Sequence, residues 1–357
     1  MIQDDDKTFI FLSALELSYK KMSDIISHFE RPSDFFDAFL NEQDFLVKEF
    51  GALYGEYRAK YNDFSFDTFE KYLIKNNVHY VTIQSQFYPS KLLNLNQPPL
   101  ILYYKGDFSL IDSKCLAIVG TRNPTFYGKD ITQKFAKDLT DAGFTIVSGL
   151  STGVDKISHE TALDNNAKTI AVLGNGFEKM YPAININLSK EIALKGLLIT
   201  EYYPTYQARS YSFPARNRII AALSDGVLIT EAAQKSGSLY TKDFALELGV
   251  EVFSVPGNVT SLKSVGTNNI IKFGHAQCVT SANDILNHYG IKKKEIKTKI
   301  QLNFDEQIIY NYLQSGDKSF DELQIYTNLS VQSLNTCLTT MQIRGIIKKL
   351  PGNYYSI

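Results

Sequence analysis

The chain has 357 residues, 44% of them hydrophobic, and a formal net charge of -1, which makes it too long for one ordinary core and too near neutral to coat nucleic acid nonspecifically. No apolar run approaches about 20 residues and the start, "MIQDDDKTFIF", is acidic, so neither a membrane span nor a secretory leader is expected; the cytoplasm is the expected compartment, with no membrane partner. Cys115, Cys278 and Cys337 are far apart and form no C-x-x-C, which indicates neither a metal site nor a disulfide framework, and no cofactor is expected.

The charge is uneven along the chain. Residues 1–77 carry 9 basic and 15 acidic groups, 78–290 carry 19 and 17, and 291–357 carry 9 and 6, so a polyanion site has to be a local patch. The segments "KTFIFLSALELS", "KMSDIISHF", "PSDFFDAFL" and "SFDTFEKYLIKN" have helical periodicity, which predicts a small helical domain over 1–77. From His79 the pattern changes to short apolar runs, "HYVTI", "LILYYKG", "CLAIVG", "FTIVSG", "KTIAVLG", "GLLITEY", "GVLITEA" and "EVFSVPG", most of them separated by helical stretches. Such alternation predicts an α/β domain over 78–288, with a doubly wound, mainly parallel sheet. The lysine-rich stretch "IKKKEIKTKIQ" reads as a solvated linker over 289–302. Three short helical patterns and a hairpin around Pro-Gly-Asn then describe a winged-helix module over 303–357. Its third helix offers only Arg344 as a base, with Gln332, Asn335 and Gln342 as polar readers, so contact with DNA and contact with protein both stay open.

In a doubly wound sheet, ligands bind beyond the carboxyl ends of the strands, where N–H groups at helix starts face an anion. Four of these ends are rich in small residues: "GTRNPTFYG" (120–128), "SGLSTGVD" (148–155), "GNGFEKMYP" (174–182) and "EAAQKSGSLYT" (231–241). The first is neither G-x-G-x-x-G nor a Walker A, so a dinucleotide or nucleoside-triphosphate site is not indicated. Glycine at one strand end serves tight turning as readily as binding. Four such loops on one rim make a candidate site from Gly120, Thr121, Ser148, Gly149, Gly174, Gly176, Lys235, Ser236, Gly237 and Ser238, the last four leading into a helix near Leu239.

The charged and aromatic candidates have two readings each. Arg122 either grips a phosphate or pairs with a structural carboxylate, Asp155 or Glu231. In "SFPARNRIIAALSDG", Arg216, Asn217 and Arg218 open an apolar helix; two positions apart, the arginines diverge, so one faces a ligand while the other ties down the fold. Tyr181 and Phe213 are either core aromatics or platforms on which bases stack.

The motifs "VGTRNPTFYG", "SGLSTGVDKISHETAL", "TIAVLGNGFEKMYP", "FPARNRIIAALSDGVLITEA", "KSGSLYT", "GVEVFSVPG" and "GTNNIIKFGHAQCV", in that order and spacing, resemble the DprA/Smf family of DNA-processing proteins, densely over 79–287. The resemblance implies an extended Rossmann domain, preceded by a helical domain similar to a sterile-alpha-motif unit. It implies a non-enzymatic protein that binds single-stranded DNA, protects incoming DNA in natural transformation and loads the RecA recombinase. It also implies a homodimer paired through about 266–279, with Asn268 and Ile271 as candidate contacts. Two departures from the family pattern stand out: Ala183 follows Tyr181 and Pro182 where family members often carry lysine, and Ser151 gives "SGLS" for "SGLA".

Two rivals complete the reading. A nucleotide phosphoribohydrolase-like enzyme has a related sheet, but "EAAQKSGSLYTKD" lacks the Gly-Thr and closing Glu of P-G-G-x-G-T-x-x-E; Asp155, Glu231 or His159 would have to supply the acid-base chemistry. A pure adaptor that binds proteins through its outer domains is the other.

Overall fold

The computed structural model describes residues 2–291 and 302–357, and most of the stretch read as a linker lies outside them. The chain divides into two compact units, 1–293 and 294–357.

The first unit opens with six helices, α1 (Asp4–Ala14), α2 (Tyr19–Ile26), α3 (Asp34–Leu40), α4 (Asp44–Phe50), α5 (Tyr54–Asp63) and α6 (Phe66–Lys75). Every residue of α1 from Thr8 to Ser13 is buried, so this part of the helix is enclosed on all sides rather than amphipathic. Phe11 sits at the centre of an aromatic cluster, its ring centroid 5.4 Å from that of Tyr61 and 5.7 Å from that of Phe64, both edge to face. The other side of α1 reaches the sheet: Phe9 and Ile10 share a core with Ile101 and Tyr103, and Ser13 Oγ lies 2.7 Å from the Tyr103 hydroxyl.

The sheet then runs β1 (His79–Thr82), β2 (Ile101–Gly106), β3 (Cys115–Val119), α7 (Phe126–Asp141), β4 (Thr145–Ser148), α8 (Val154–Asp164), β5 (Thr169–Val172), α9 (Ile186–Lys195), β6 (Leu197–Thr200), α10 (Ser212–Leu223), β7 (Gly226–Ile229), α11 (Leu239–Glu247), β8 (Glu251–Ser254), α12 (Val265–Lys272), β9 (Gln277–Cys278) and α13 (Ala282–His288). The strand order is β1-β2-β6-β5-β4-β3-β7-β8-β9. All pairs from β6 to β9 are parallel, while β1 and β2 extend the edge antiparallel. The predicted α/β class with a mainly parallel sheet is therefore correct.

Alternation of side chains across a strand explains the two cores. Cys115, Ala117 and Val119 of β3 face one layer, with Ile219, Ile220 and Leu223 of α10; Leu116 and Ile118 face the other, with Phe135 of α7 and Val154 of α8. Burial on both faces is why these strands read as continuous apolar runs. The chain winds from β3 outward through β4 and β5 to β6, then crosses to β7 on the other side of β3. Loops leaving β3 and β7 thus diverge, opening a crevice at the switch point.

The second unit has α14 (Phe304–Leu313), β10 (Lys318–Ser319), α15 (Phe320–Thr327), α16 (Val331–Ile343), β11 (Lys348–Leu350) and β12 (Tyr354–Ser356), its three strands ordered β10-β12-β11. Capping boxes at Asn303/Glu306 and Ser319/Glu322 fix the starts of α14 and α15. Arg344, the one base expected near the third helix, donates to the Glu306 carboxylate at 3.0 Å instead of standing ready as a reader.

Candidate functional site

A cavity of about 670 Å3 opens at the switch point, and nine of the sequence-predicted residues line it: Gly120, Arg122, Tyr181, Phe213, Arg216, Asn217, Ser236, Gly237 and Ser238. The first turns of α8, α10 and α11 converge on it through Asp155, Phe213, Arg216 and Thr241. None of the three helices has a side-chain cap on its first turn, so their starts turn positive dipole ends to the same space, while the first amides of α11 donate to the carbonyls of Ser236, Gly237 and Ser238 and that of Val154 donates to the Thr121 carbonyl.

The two arginines of the cavity differ in setting. Arg122 is exposed, and its guanidinium lies over the Phe213 ring, 5.5 Å from the centroid; Tyr181, half exposed, packs beside Phe213 with centroids 5.3 Å apart. The acids proposed as its structural partners are engaged elsewhere. Glu231 accepts from the backbone N–H and hydroxyl of Thr125 at 2.8 and 2.6 Å, anchoring the loop after β3, and Asp155 accepts from the Ser151 hydroxyl at 2.8 Å. Of the two readings of Arg122, the geometry favours a cation open to a ligand, its orientation fixed by an aromatic face.

Arg216 is 4% exposed and forms the floor. Its Nη1 donates to the carbonyls of Gly149, at 2.7 Å, and Val172, while Nε donates to Asn217 Oδ1 at 3.1 Å. It thus ties the ends of β4 and β5 with carbonyl oxygens rather than a bound carboxylate. Burial pulls its pKa down to about 10, opposed by the Asp155 charge nearby. A Cβ on Gly149 would come within 2.4 Å of Nη2, so only glycine admits the guanidinium this close. Gly153, at φ 79°, similarly lets the α8 loop meet the backbone of Arg122, where a Cβ would lie 2.5 Å from its carbonyl carbon.

The remaining predicted residues shape the site from outside it. Arg218 requires a correction as a candidate ligand contact: it forms a two-pronged ion pair with Glu201, at 2.6 and 3.1 Å, and faces a different cavity. Arg218 thus ties down the fold, and Arg216 is the one of the two arginines that lines the cavity. Ser148 is buried, its hydroxyl donating to the Ile118 carbonyl; Thr121 is buried, its N–H donating to the Glu231 carbonyl. The Gly174 carbonyl accepts from Ser212 Oγ, and the Gly176 N–H donates to the Tyr206 carbonyl, so these two glycines brace the loops behind α10. Lys235 is exposed and outside the cavity lining, and Ala183 adds no charge. Asn217 Nδ2 donates to the Gly237 carbonyl at 3.3 Å, joining α10 to the loop after β7. Asn268 exchanges two hydrogen bonds with the Gly257 backbone, both 3.0 Å, and Ile271 is half-buried.

Sequence reasoning missed Arg209, Ser210 and Thr241 of the lining. Thr241 is fully buried, and its hydroxyl has no hydrogen-bond partner. It stood in the quoted "KSGSLYT", and three-residue spacing from Ser238 into the helix was the available signal.

His159 lies beneath the cavity, not in its wall. Thr169 Oγ1 donates to the Ile146 carbonyl and therefore accepts from His159 Nδ1–H, at 2.6 Å. Burial, helped by the Arg216 charge, depresses its pKa to about 3. An unfolded histidine titrates near 6.5, so below that pH the unfolded chain takes up a proton that the folded chain refuses. Stability should fall by about 1.4 kcal/mol per pH unit from this residue as pH drops from 6.5 towards 3. Urea unfolding at pH 7 and pH 5 should show a smaller drop for His159→Asn than for the parent chain; equal drops would refute the assignment.

Comparison with known proteins places this geometry. The family model for DNA recombination-mediator protein A matches residues 79–290. The chain is 39% identical to the DNA processing protein DprA of Bacillus subtilis over 212 residues, 59% of this chain and 71% of that one. The crystal structure of DprA from Streptococcus pneumoniae superposes with a TM-score of 0.59 at 32% identity, covering 80% of this chain and 93% of that one. The corresponding Helicobacter pylori protein, whose structure was described for its single-stranded DNA binding mode, superposes with a TM-score of 0.54 at 36% identity, covering 59% and 95%.

Proposed function

Since the chain belongs to the DNA recombination-mediator protein A family, we propose that its switch-point cavity binds single-stranded DNA. The observation that carries this reading is the meeting, in one cavity, of Arg122, Arg216, Tyr181 and Phe213 with three uncapped helix starts. Guanidinium groups and positive helix-dipole ends suit phosphates, and stacking on aromatic faces is worth about 1–3 kcal/mol per base without regard to sequence. A local positive cavity in a near-neutral chain also suits a strand threaded through one site rather than a duplex coated along its length.

Within this reading the bound strand is protected and handed to RecA recombinase, as in natural transformation, in the cytoplasm. Two copies pair through 266–279, where Phe273 is 63% exposed. Asn268 acts there by fixing the Gly257 turn, leaving Ile271 and its neighbours for the partner copy. The module from 303 contributes as a winged helix. We assign no catalysis to the cavity: of the three candidate acid-base groups, Glu231 is spent on Thr125 and His159 is buried, both outside the lining, while Asp155 lines the cavity but accepts from the Ser151 hydroxyl.

Gel-shift titration of the full chain with single strands and duplexes of matched length tests the reading. Single strands should bind more tightly, with little sequence preference and a log-log salt slope of about -0.7 per phosphate neutralised. Equal affinity for duplex, or none for single strands at low salt, would overturn it and favour the adaptor. Release of free base from a nucleoside monophosphate, lost in Glu231→Gln, would favour the enzyme.

A further inference from the structure

A third guanidinium lines the cavity, and it is already held. Arg209 Nη2 donates to the Glu16 carboxylate, Nη1 donates to the Tyr211 hydroxyl at 3.0 Å, and the group lies over the Tyr206 ring, 5.2 Å from its centroid. Tyr206 is stacked in turn on Tyr202, centroids 4.4 Å apart and planes 14° from parallel. Rings thus fix where the guanidinium sits, while its fork can face either a carboxylate from one side or an anion in the cavity from the other.

Glu16 stands at an unusual place. It follows Leu15, the C-cap of α1, with φ 55°, a left-handed conformation that normally ends helices with Gly or Asn. A side chain with a Cβ is disfavoured there, and glycine would serve the turn better. What the position gains from glutamate is its carboxylate on Arg209.

We infer that Arg209 is a further strand-binding side chain and Glu16 its internal competitor, so that a phosphate entering the cavity and the turn after α1 contend for one guanidinium. The inference rests on the single-strand reading of the cavity. Glu16 weakens binding by occupying a cation the strand can use. A bound strand, conversely, frees the turn that carries Glu16, Leu17 and Ser18, which walls a second cavity of about 380 Å3 together with Tyr19 and Tyr211. Occupancy of the DNA site is in this way reported to the surface of the N-terminal helices.

Fluorescence anisotropy with a labelled oligothymidylate, across a salt series, tests the competition in the full chain. Glu16→Gln should tighten binding about two- to fivefold, the range expected for releasing an exposed ion pair, and steepen the salt slope by up to about 0.7. Glu16→Gly should do the same while relieving the backbone, which separates loss of charge from damage to the fold. Arg209→Gln should loosen binding and abolish the response to either Glu16 substitution, and hydrogen exchange at residues 15–19 should rise on adding the oligonucleotide. Intact binding that ignores Glu16, or a Glu16 effect that survives in Arg209→Gln, overturns the inference alone. A parent chain without affinity for the oligonucleotide overturns the single-strand reading and the inference with it.

Discussion

Arg122→Ala is expected to weaken binding of single-stranded DNA about 10- to 100-fold at low salt and to reduce the log-log salt slope by about 0.7. The expectation follows from what Arg122 lacks and what it has. Both nearby candidate acids are committed to Thr125 and Ser151, so its charge is not spent within the protein. The Phe213 face beneath it fixes the guanidinium, so little side-chain entropy is lost when a phosphate arrives. Because the side chain is exposed, its removal should change folding stability by less than about 0.5 kcal/mol, and binding can be read without correction for unfolded chain. Arg122→Lys should restore the slope but only part of the affinity, since an ammonium keeps the charge and loses the planar fork and the stack. A well-folded Arg122→Ala with the parent slope would remove Arg122 from the site.

The same residues show what could be read from sequence and what could not. Strands buried on both faces, such as Cys115–Val119 and Gly226–Ile229, announce themselves as apolar runs, and the loops after them are legible because Gly and Ser cluster there. β9 was missed because two exposed residues, Gln277 and Cys278, make no pattern. The region of α4 and α5 was not resolved into helices, since only Leu46, Phe50, Tyr54 and Tyr57 are buried in a mostly polar stretch. That Arg216 and Arg218 diverge follows from helical spacing. Which of them faces the cavity depends on Glu201 and on the carbonyls of Gly149 and Val172, partners brought together only by the fold. Arg209 escaped for the opposite reason: it lies in irregular chain just before α10, where no periodicity frames a face.

Arg216→Met should separate stability from binding. Two opposing terms act on stability. Removing the guanidinium orphans the Gly149 and Val172 carbonyls, at about 1–3 kcal/mol each. It also relieves a buried cation whose pKa is held down to about 10 from 12.5, a penalty on the order of 3 kcal/mol. The terms nearly cancel, so the net change should stay within about 2 kcal/mol in either direction, less than the 3–5 kcal/mol typical when one member of a buried ion pair is removed. No such cancellation applies to the ligand. A phosphate in the cavity adds counter-charge to a guanidinium that Asp155 offsets only from nearby, without an ion pair, so loss of Arg216 should raise the Kd for single strands at least about 100-fold, about 2.7 kcal/mol. Oligonucleotide at 100 times the parent Kd should therefore raise the parent chain's unfolding free energy by about 2.7 kcal/mol and the variant's by well under 1. Urea unfolding with and without oligonucleotide measures both quantities. A variant that loses 4 kcal/mol or more of stability, yet binds normally wherever it is folded, would make Arg216 a strut between strand ends and leave Arg122 and the helix starts to hold the strand.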